Sequence, residues 1–274
     1  MINIKGTLYD YSNPRIMGIL NFTPDSFNPL SRVDAGEVKE RIEKMLDDGA
    51  DIIDIGGMSS RPGCEIVDEN TEWNRLLPAL EIISKHFSDI VFSLDTFRSQ
   101  IVRKAVLDYG ISIINDISAG DADDKMLDVV AECRVPYIVM HGVSSSDQIH
   151  SGNEYSNITA DVLKFFSQKI AALHSRGVSD IILDPGFGFS KTLDENYELF
   201  SHLSDFDVFG LPILVGISRK SMIWKLLDTT VEKALNGTTV LNTIALQKGA
   251  NILRVHDVAE AREALTIFSK CNPK

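Results

Sequence analysis

Asp180-Ile181-Ile182-Leu183-Asp184-Pro185-Gly186-Phe187-Gly188-Phe189 is the stretch from which the fold can be read. Three apolar residues in a row make a short strand buried on both faces. An acid stands where that strand stops, and the chain then turns: Pro185 has no amide hydrogen to give a sheet, and the glycines allow angles that Phe cannot hold. Asp184 is either an N-cap below an aromatic lid on the core or a carboxylate at the mouth of a pocket walled by Phe189. The remainder of the chain decides between these.

Moving outward in both directions, the same unit recurs. Apolar runs ending in polar residues occur at Arg15–Asn21, Asp51–Gly56, Ile90–Asp95, Ile111–Asp116, Pro136–His141, 180–184, Pro212–Gly216 and Asn251–Val255. Between them lie stretches of helical spacing at Asp34–Gly49, Glu69–Phe87, Ser99–Tyr109, Lys125–Glu132, Thr159–Ser175, Glu195–Leu203, 220–227, 231–248 and Val258–Phe268. Continuous rather than alternating apolar runs predict a parallel sheet covered on both faces. Eight strand–helix units predict an α/β fold of the (β/α)8 TIM barrel type, with residues 2–9 as a short N-terminal β-hairpin cap turning at Lys5-Gly6. A doubly wound open sheet is the alternative. No linker divides the chain, so residues 1–274 are expected to form a single domain. The longest irregular segments, Asn21–Val33, Gly57–Asp68 and His141–Asn157, each follow a strand, on the face where barrels carry their sites.

Composition narrows the partners. The net charge of −12 speaks against nucleic acid and anionic membrane, since binding a phosphate backbone needs a basic face. No apolar run has the length of a membrane span, and the N-terminus lacks the pattern of a signal peptide. Cys64, Cys133 and Cys271 have no metal-binding spacing; an odd, sparse set fits a reducing, cytoplasmic compartment.

The strand ends collect polar groups: Asn21; Ser59-Ser60-Arg61; Asp95; Asn115 and Asp116; His141; Asp184; Ser218-Arg219-Lys220-Ser221; and Arg254 with His256. Any one of these is explained by a cap or a satisfied core group. All eight ends together predict a pocket. Asp95, Asn115, Asp184 and Lys220 offer acceptors, an amide and a cation, a set matching a flat heterocycle with N–H donors and a carbonyl, such as a pterin or a purine. Arg254, His256 and Asn21 suit a phosphate group and a hydrated Mg2+.

Several segments carry a resemblance. They are Met17-Gly18-Ile19-Leu20-Asn21-Phe22-Thr23-Pro24-Asp25-Ser26-Phe27, Asp51-Ile52-Ile53-Asp54-Ile55-Gly56-Gly57, Ser60-Arg61-Pro62-Gly63 and Ser93-Leu94-Asp95-Thr96, then Ile114-Asn115-Asp116-Ile117, Asp184 to Phe189, Ser218-Arg219-Lys220-Ser221 and Arg254-Val255-His256-Asp257. In this order, nearly end to end, the chain resembles the dihydropteroate synthase family, pterin-binding barrels of the folate pathway that sulfonamides target. The resemblance implies a Mg2+-dependent transferase that joins 6-hydroxymethyl-7,8-dihydropterin diphosphate to p-aminobenzoate, releasing diphosphate. It implies Asp95, Asn115, Asp184, Phe189 and Lys220 at the pterin, and Asn21, Ser60, Arg254 and His256 at the diphosphate, with Asn21 as metal ligand. It further implies Phe27, Ser60, Arg61, Pro62 and Ser221 at p-aminobenzoate, closure of the first two loops over the site, and a homodimer. Asp95, Lys220, Arg254 and His256 would be the catalytic group. For the dimer the sequence adds apolar residues of the late helices, Val240, Leu241, Ile244 and Leu246.

Three segments depart from the family pattern. Met58-Ser59-Ser60 replaces an acid before Ser-Thr, Asn28-Pro29-Leu30-Ser31-Arg32 replaces glycines, and Gly142-Val143-Ser144-Ser145-Ser146 follows His141. All three lie toward the aminobenzoate side or the outer rim. Two other readings share the pterin set: a methyltetrahydrofolate-binding barrel of the corrinoid methyltransferases, and a barrel that binds a pterin without turnover. Neither requires the Ser-Arg-Lys turn or the Arg-Val-His end.

Overall fold

The computed structural model describes residues 1–22, 35–58, 66–142 and 155–273. β1 (Ile2–Ile4) and β2 (Thr7–Tyr9) form an antiparallel hairpin. Eight further strands are parallel: β3 (Arg15–Asn21), β4 (Ile52–Gly56), β5 (Phe92–Asp95), β6 (Ile113–Asp116), β7 (Tyr137–Met140), β8 (Ile181–Asp184), β9 (Leu214–Val215) and β10 (Ile252–Val255). They pair in the order β8-β7-β6-β5-β4-β3-β10-β9, and a bridge from Leu183 to Ile213 joins the two ends into a barrel. The open-sheet alternative is thereby excluded.

Helices α1 (Ala35–Asp47), α2 (Glu69–His86), α3 (Ser99–Tyr109), α4 (Met126–Cys133), α5 (Ile158–His174), α6 (Leu193–Ser201), α7 (Ser221–Leu226), α8 (Leu235–Gln247) and α9 (Val258–Cys271) alternate with the strands. Local chemistry sets their starts. The Asp68 carboxylate accepts from the amides of Asn70 and Thr71 to begin α2, and Asn157 accepts from Ala160 to begin α5. Thr192 and Glu195 form a capping box that starts α6 two residues before the position expected from apolar spacing. The expected 231–248 helix is a 3-10 turn, Val231–Lys233, followed by α8. A second 3-10 segment, Leu203–Phe209, has no counterpart in the sequence reading and packs Phe206 against Phe166. Of the late-helix apolar residues, Leu241 and Leu246 are buried in the chain's own core, while Val240 is exposed. No helix among the described residues is long and apolar enough to cross a membrane.

The barrel interior is layered. Met17, Ile52, Val91, Ile113, Ile138, Ile182, Leu214 and Ile252, one residue at each strand, form a single buried cluster. Ile2 and Ile4 of the hairpin, with Tyr11 just after it, close the cluster from below. Side chains two residues apart on a strand share a face. Two positions further along, the strands carry Ile19, Asp54, Ser93, Asn115, Met140, Asp184, Gly216 and Arg254. The interior thus changes from a buried apolar floor to a polar layer within one step along the strands.

Candidate active site

Arg254 stands at the centre of the polar layer. Its Nε donates to Asp54 Oδ2 at 2.7 Å and its Nη2 to Asp95 Oδ2 at 2.8 Å. Asn115 Nδ2 donates to the same Asp54 oxygen at 3.0 Å. A carboxylate only accepts, so the Asn115 amide nitrogen faces Asp54 and its Oδ1 is left as an acceptor. Asp54 Oδ1, Asn115 Oδ1 and Ser93 Oγ are buried without a hydrogen-bond partner among the described residues. Buried polar atoms are normally satisfied, so three orphans in one layer fit a ligand that brings donors.

Two carboxylates share one guanidinium here, and the charges respond. Burial pushes Asp95 up to about 7, with Arg254 pulling the other way and Asp54 adding to the rise. Burial also raises Asp184, which Lys220 opposes. For Arg254, burial favours the neutral form, but Asp54 and Asp95 outweigh it and hold the guanidinium charged. Lys220 is pushed down to about 8 by burial, against the pull of Asp184. Its ammonium donates to the Phe187 carbonyl and lies 4.4 Å from the centre of the Phe189 ring.

A cavity of about 400 Å3 opens above this layer, lined among others by Asn21, Phe189, Ser218, Lys220, Ser221, Trp224, Arg254 and His256. Asn21 is held over the layer by a glycine: a Cβ on Gly56 would lie 3.0 Å from Asn21 Oδ1 and 3.5 Å from the Asp95 Cβ. The Ser218 hydroxyl bonds the backbone nitrogen of His256 and its Nδ1, each at 3.2 Å, which fixes the imidazole at the rim. Arg219 also lines the cavity, but its guanidinium is engaged elsewhere. It pairs with both oxygens of Asp257 at 2.8 Å and donates to the carbonyls of Val231 and Glu232, holding the Ser-Arg-Lys turn in place.

Asp184 Oδ1 accepts from the Gly186 amide at 2.8 Å, so the acid ties down its own loop while remaining in the polar layer. The N-cap reading of Asp184 does not hold, because the next helix, α6, begins at Leu193 with Thr192 as its cap. Two residues expected at the rim turn away from it. Asp116 accepts from Tyr137 Oη at 2.6 Å, from Ser118 and from the Gly120 amide, and so organises the loop after β6. His141 packs edge-on to Phe165 with ring centres 4.9 Å apart, between barrel and helix. Strand alternation explains Asp116, since Asn115 already takes the inward position. Phe27, Ser60, Arg61 and Pro62, expected at the aminobenzoate side, lie outside the described residues, as does Ser59.

Asp54, Ser93, Trp224 and Lys191 were not foreseen. For Asp54 a signal existed: an acid interrupts the apolar run Ile52-Ile53-Asp54-Ile55, where only an inward-facing, paired charge is tolerable. Ser93 stands opposite it in the β4–β5 register.

Among the described residues no cluster of three or more His, Cys, Asp or Glu could hold a metal ion. Asn21 supplies one neutral oxygen next to Asp95. That donor set fits an ion such as Mg2+, which keeps several waters and binds largely through a substrate's phosphates.

A barrel with a paired-carboxylate layer over a closed apolar floor defines a class of small-molecule enzyme, and the comparisons place the chain within it. A family model described as pterin binding enzyme matches residues 17–256. The dihydropteroate synthase of Escherichia coli strain K12 is 38% identical over 269 residues, covering 96% of this chain and 93% of that protein. The dihydropteroate synthase of Clostridium beijerinckii is 41% identical over 253 residues, with 91% of each chain covered. Among solved structures, a Clostridium difficile dihydropteroate synthase in the presence of pteroic acid superposes with a TM-score of 0.91 at 34% identity, covering 97% of this chain and all of the other. A Xanthomonas albilineans dihydropteroate synthase with 4-aminobenzoic acid gives 0.90 at 33% identity, covering 100% of this chain and 98% of the other. The chain belongs to the dihydropteroate synthase family of pterin-binding enzymes.

Proposed function

We propose that this protein condenses 6-hydroxymethyl-7,8-dihydropterin diphosphate with p-aminobenzoate to give 7,8-dihydropteroate and diphosphate. The observation that carries the reading is the polar layer itself: Asp95, Asn115 and Asp184 as acceptors, Lys220 as donor, and the orphaned Asn115 Oδ1 above a buried apolar floor. In this reading those residues and the Phe189 wall orient the pterin ring by its N–H groups and carbonyl. Arg254, His256, Asn21 and Ser60 take the diphosphate. Phe27, Ser60, Arg61, Pro62 and Ser221 take p-aminobenzoate.

The chemistry follows from the charges. The methylene carbon–oxygen bond breaks with its electron pair leaving on the diphosphate, and positive charge spreads from the methylene into the ring. The ionised Asp95 carboxylate favours that cation, while Arg254 and His256 receive the departing negative charge. The weakly nucleophilic aryl amine then forms the carbon–nitrogen bond and gives up a proton. Asn21 would hold a Mg2+ that arrives with the diphosphate, and the ion would lower the cost of the leaving charge. One barrel domain carries the whole reaction in this account. The exposed Val240 of α8 and Ile267 of α9 support a homodimer through these helices, and a cytoplasmic setting accords with the free cysteines.

Incubating the protein with both substrates and Mg2+, and following dihydropteroate and diphosphate together, tests the reading. Absence of product overturns it. Pterin binding without diphosphate release would favour the binding-only barrel instead.

A further inference from the structure

The loop from Gly186 to Phe189 walls the cavity, yet little of it is held by sheet or helix. Gly186, Gly188 and Ser190 all have positive φ, at 69°, 80° and 48°. The Phe189 amide bonds the Gly186 carbonyl at 3.2 Å, and the Gly188 amide bonds Asn196 Oδ1 at 2.6 Å. Behind the loop is Lys191. Its Nζ donates to the carbonyls of Gly186 at 2.9 Å, Phe189 at 3.1 Å and His141 at 3.2 Å. An ammonium has three donors, and all three are spent on carbonyls at the ends of two neighbouring strands. Burial pushes Lys191 down to about 7, with Asp184 opposing. No ion pair among the described residues neutralises it. A buried cation bonded to three peptide carbonyls, with only the more distant charges of Asp184 and Glu195 in its favour, is a costly way to close a loop, so the geometry it enforces is the part to explain.

That geometry leads to Lys220. The Phe187 carbonyl, inside the clamped loop, accepts from Lys220 Nζ, and the Phe189 ring faces the same ammonium. A Cβ on Gly188 would sit 3.0 Å from the Lys220 Cδ, so the loop backbone also bounds the lysine stem. We propose that Lys191 is a positioning residue: it locks the Gly186–Phe189 loop onto the end of β7, and through Phe187 and Phe189 it fixes where the Lys220 ammonium stands. The assignment of a pterin to this pocket is the reading on which the functional part rests.

Lys191→Met keeps the length and removes the donors. Its affinity for pterin diphosphate, measured by calorimetry, is expected to fall roughly tenfold or more. kcat should fall less than the pterin KM rises, and Lys191→Arg, which keeps the charge, should recover part of the loss. Because the clamp acts through Lys220, adding Lys191→Met to Lys220→Met should change affinity little further. Wild-type affinity in Lys191→Met, or full additivity of the two changes, overturns the proposal. Hydrogen exchange at the Gly188 and Phe189 amides reads the clamp without any ligand. Faster exchange in Lys191→Met supports it and unchanged exchange sinks it, even if the wild-type protein binds no pterin and the functional reading falls. Should Lys191→Met not fold, Lys191→Leu, which also has no donor, provides the same comparisons.

Discussion

At the scale of single residues, the layer around Arg254 determines what can be tested. With Asp95 ionised as the group that favours the cation, Asp95→Asn is expected to lower kcat by about two orders of magnitude or more while the barrel stays folded. Turnover near wild type would remove Asp95 from that role. The raised carboxyl sets a pH dependence. Asp95 is pushed up to about 7, so kcat/KM should drop about tenfold per pH unit below that point as the acid takes up its proton. Asp54 is one cause of the rise. Asp54→Asn should therefore move the acid limb to lower pH, at the cost of a looser Arg254. An unshifted limb would mean that Asp95 is not the group being titrated. Asp95, Asn115, Asp184 and Arg254 were legible in the sequence because each ends or nearly ends an apolar run. Asp54 was not, because it lies in the middle of β4, inside a run that reads as buried strand. Only the closing of the barrel shows that it faces Arg254, a residue 200 positions away.

Among the elements, the turn after β8 packs closely against the end of β7. A Cβ on Gly186, whose φ is +69°, would lie 1.8 Å from the His141 carbonyl. Gly186→Ala is expected to cost on the order of 3 kcal/mol, read from the urea midpoint, and to abolish pterin binding. His141 offers an acid-sensitivity test. Burial among Tyr155, Phe165 and the barrel pushes its imidazole down to about 3 from an ordinary 6.5. Between these values the unfolded chain binds the extra proton, so stability is present above 6.5 and is lost as pH falls. The loss should be about 1.4 kcal/mol per unit. His141→Phe should flatten this acid limb in urea titrations from pH 7 to 4; an unchanged limb would place the sensitivity elsewhere. The sequence could show that His141 ends a strand but not which way it turns. Direction depends on register and on the aromatic side chains that α5 brings to it.

For the whole molecule, the exposed apolar side chains of α8 and α9 are expected to be covered by a second copy. Sedimentation should report a dimer, and Ile267→Glu should shift it toward monomer. A wild-type monomer at assay concentrations would leave the α8–α9 face without that role.

The sequence by itself determined the (β/α)8 order, the hairpin cap, the C-terminal face as the site of chemistry and most of the groups above the floor. These follow from local rules: continuous apolar runs mean two-sided burial, glycines and caps mark element ends, and polar residues at strand ends have no place but a rim. The tertiary structure alone decided which of those polar groups meet. It set Asp116 and His141 outside the barrel, brought Asp54 and Ser93 into the layer, and turned Lys191 from an ordinary loop lysine into the clamp beneath Phe189. The reason is physical. Facing is fixed by the alternation of side chains along each strand, but contact between facing groups is fixed by how eight staggered strands close on themselves, and no local run of residues contains that closure.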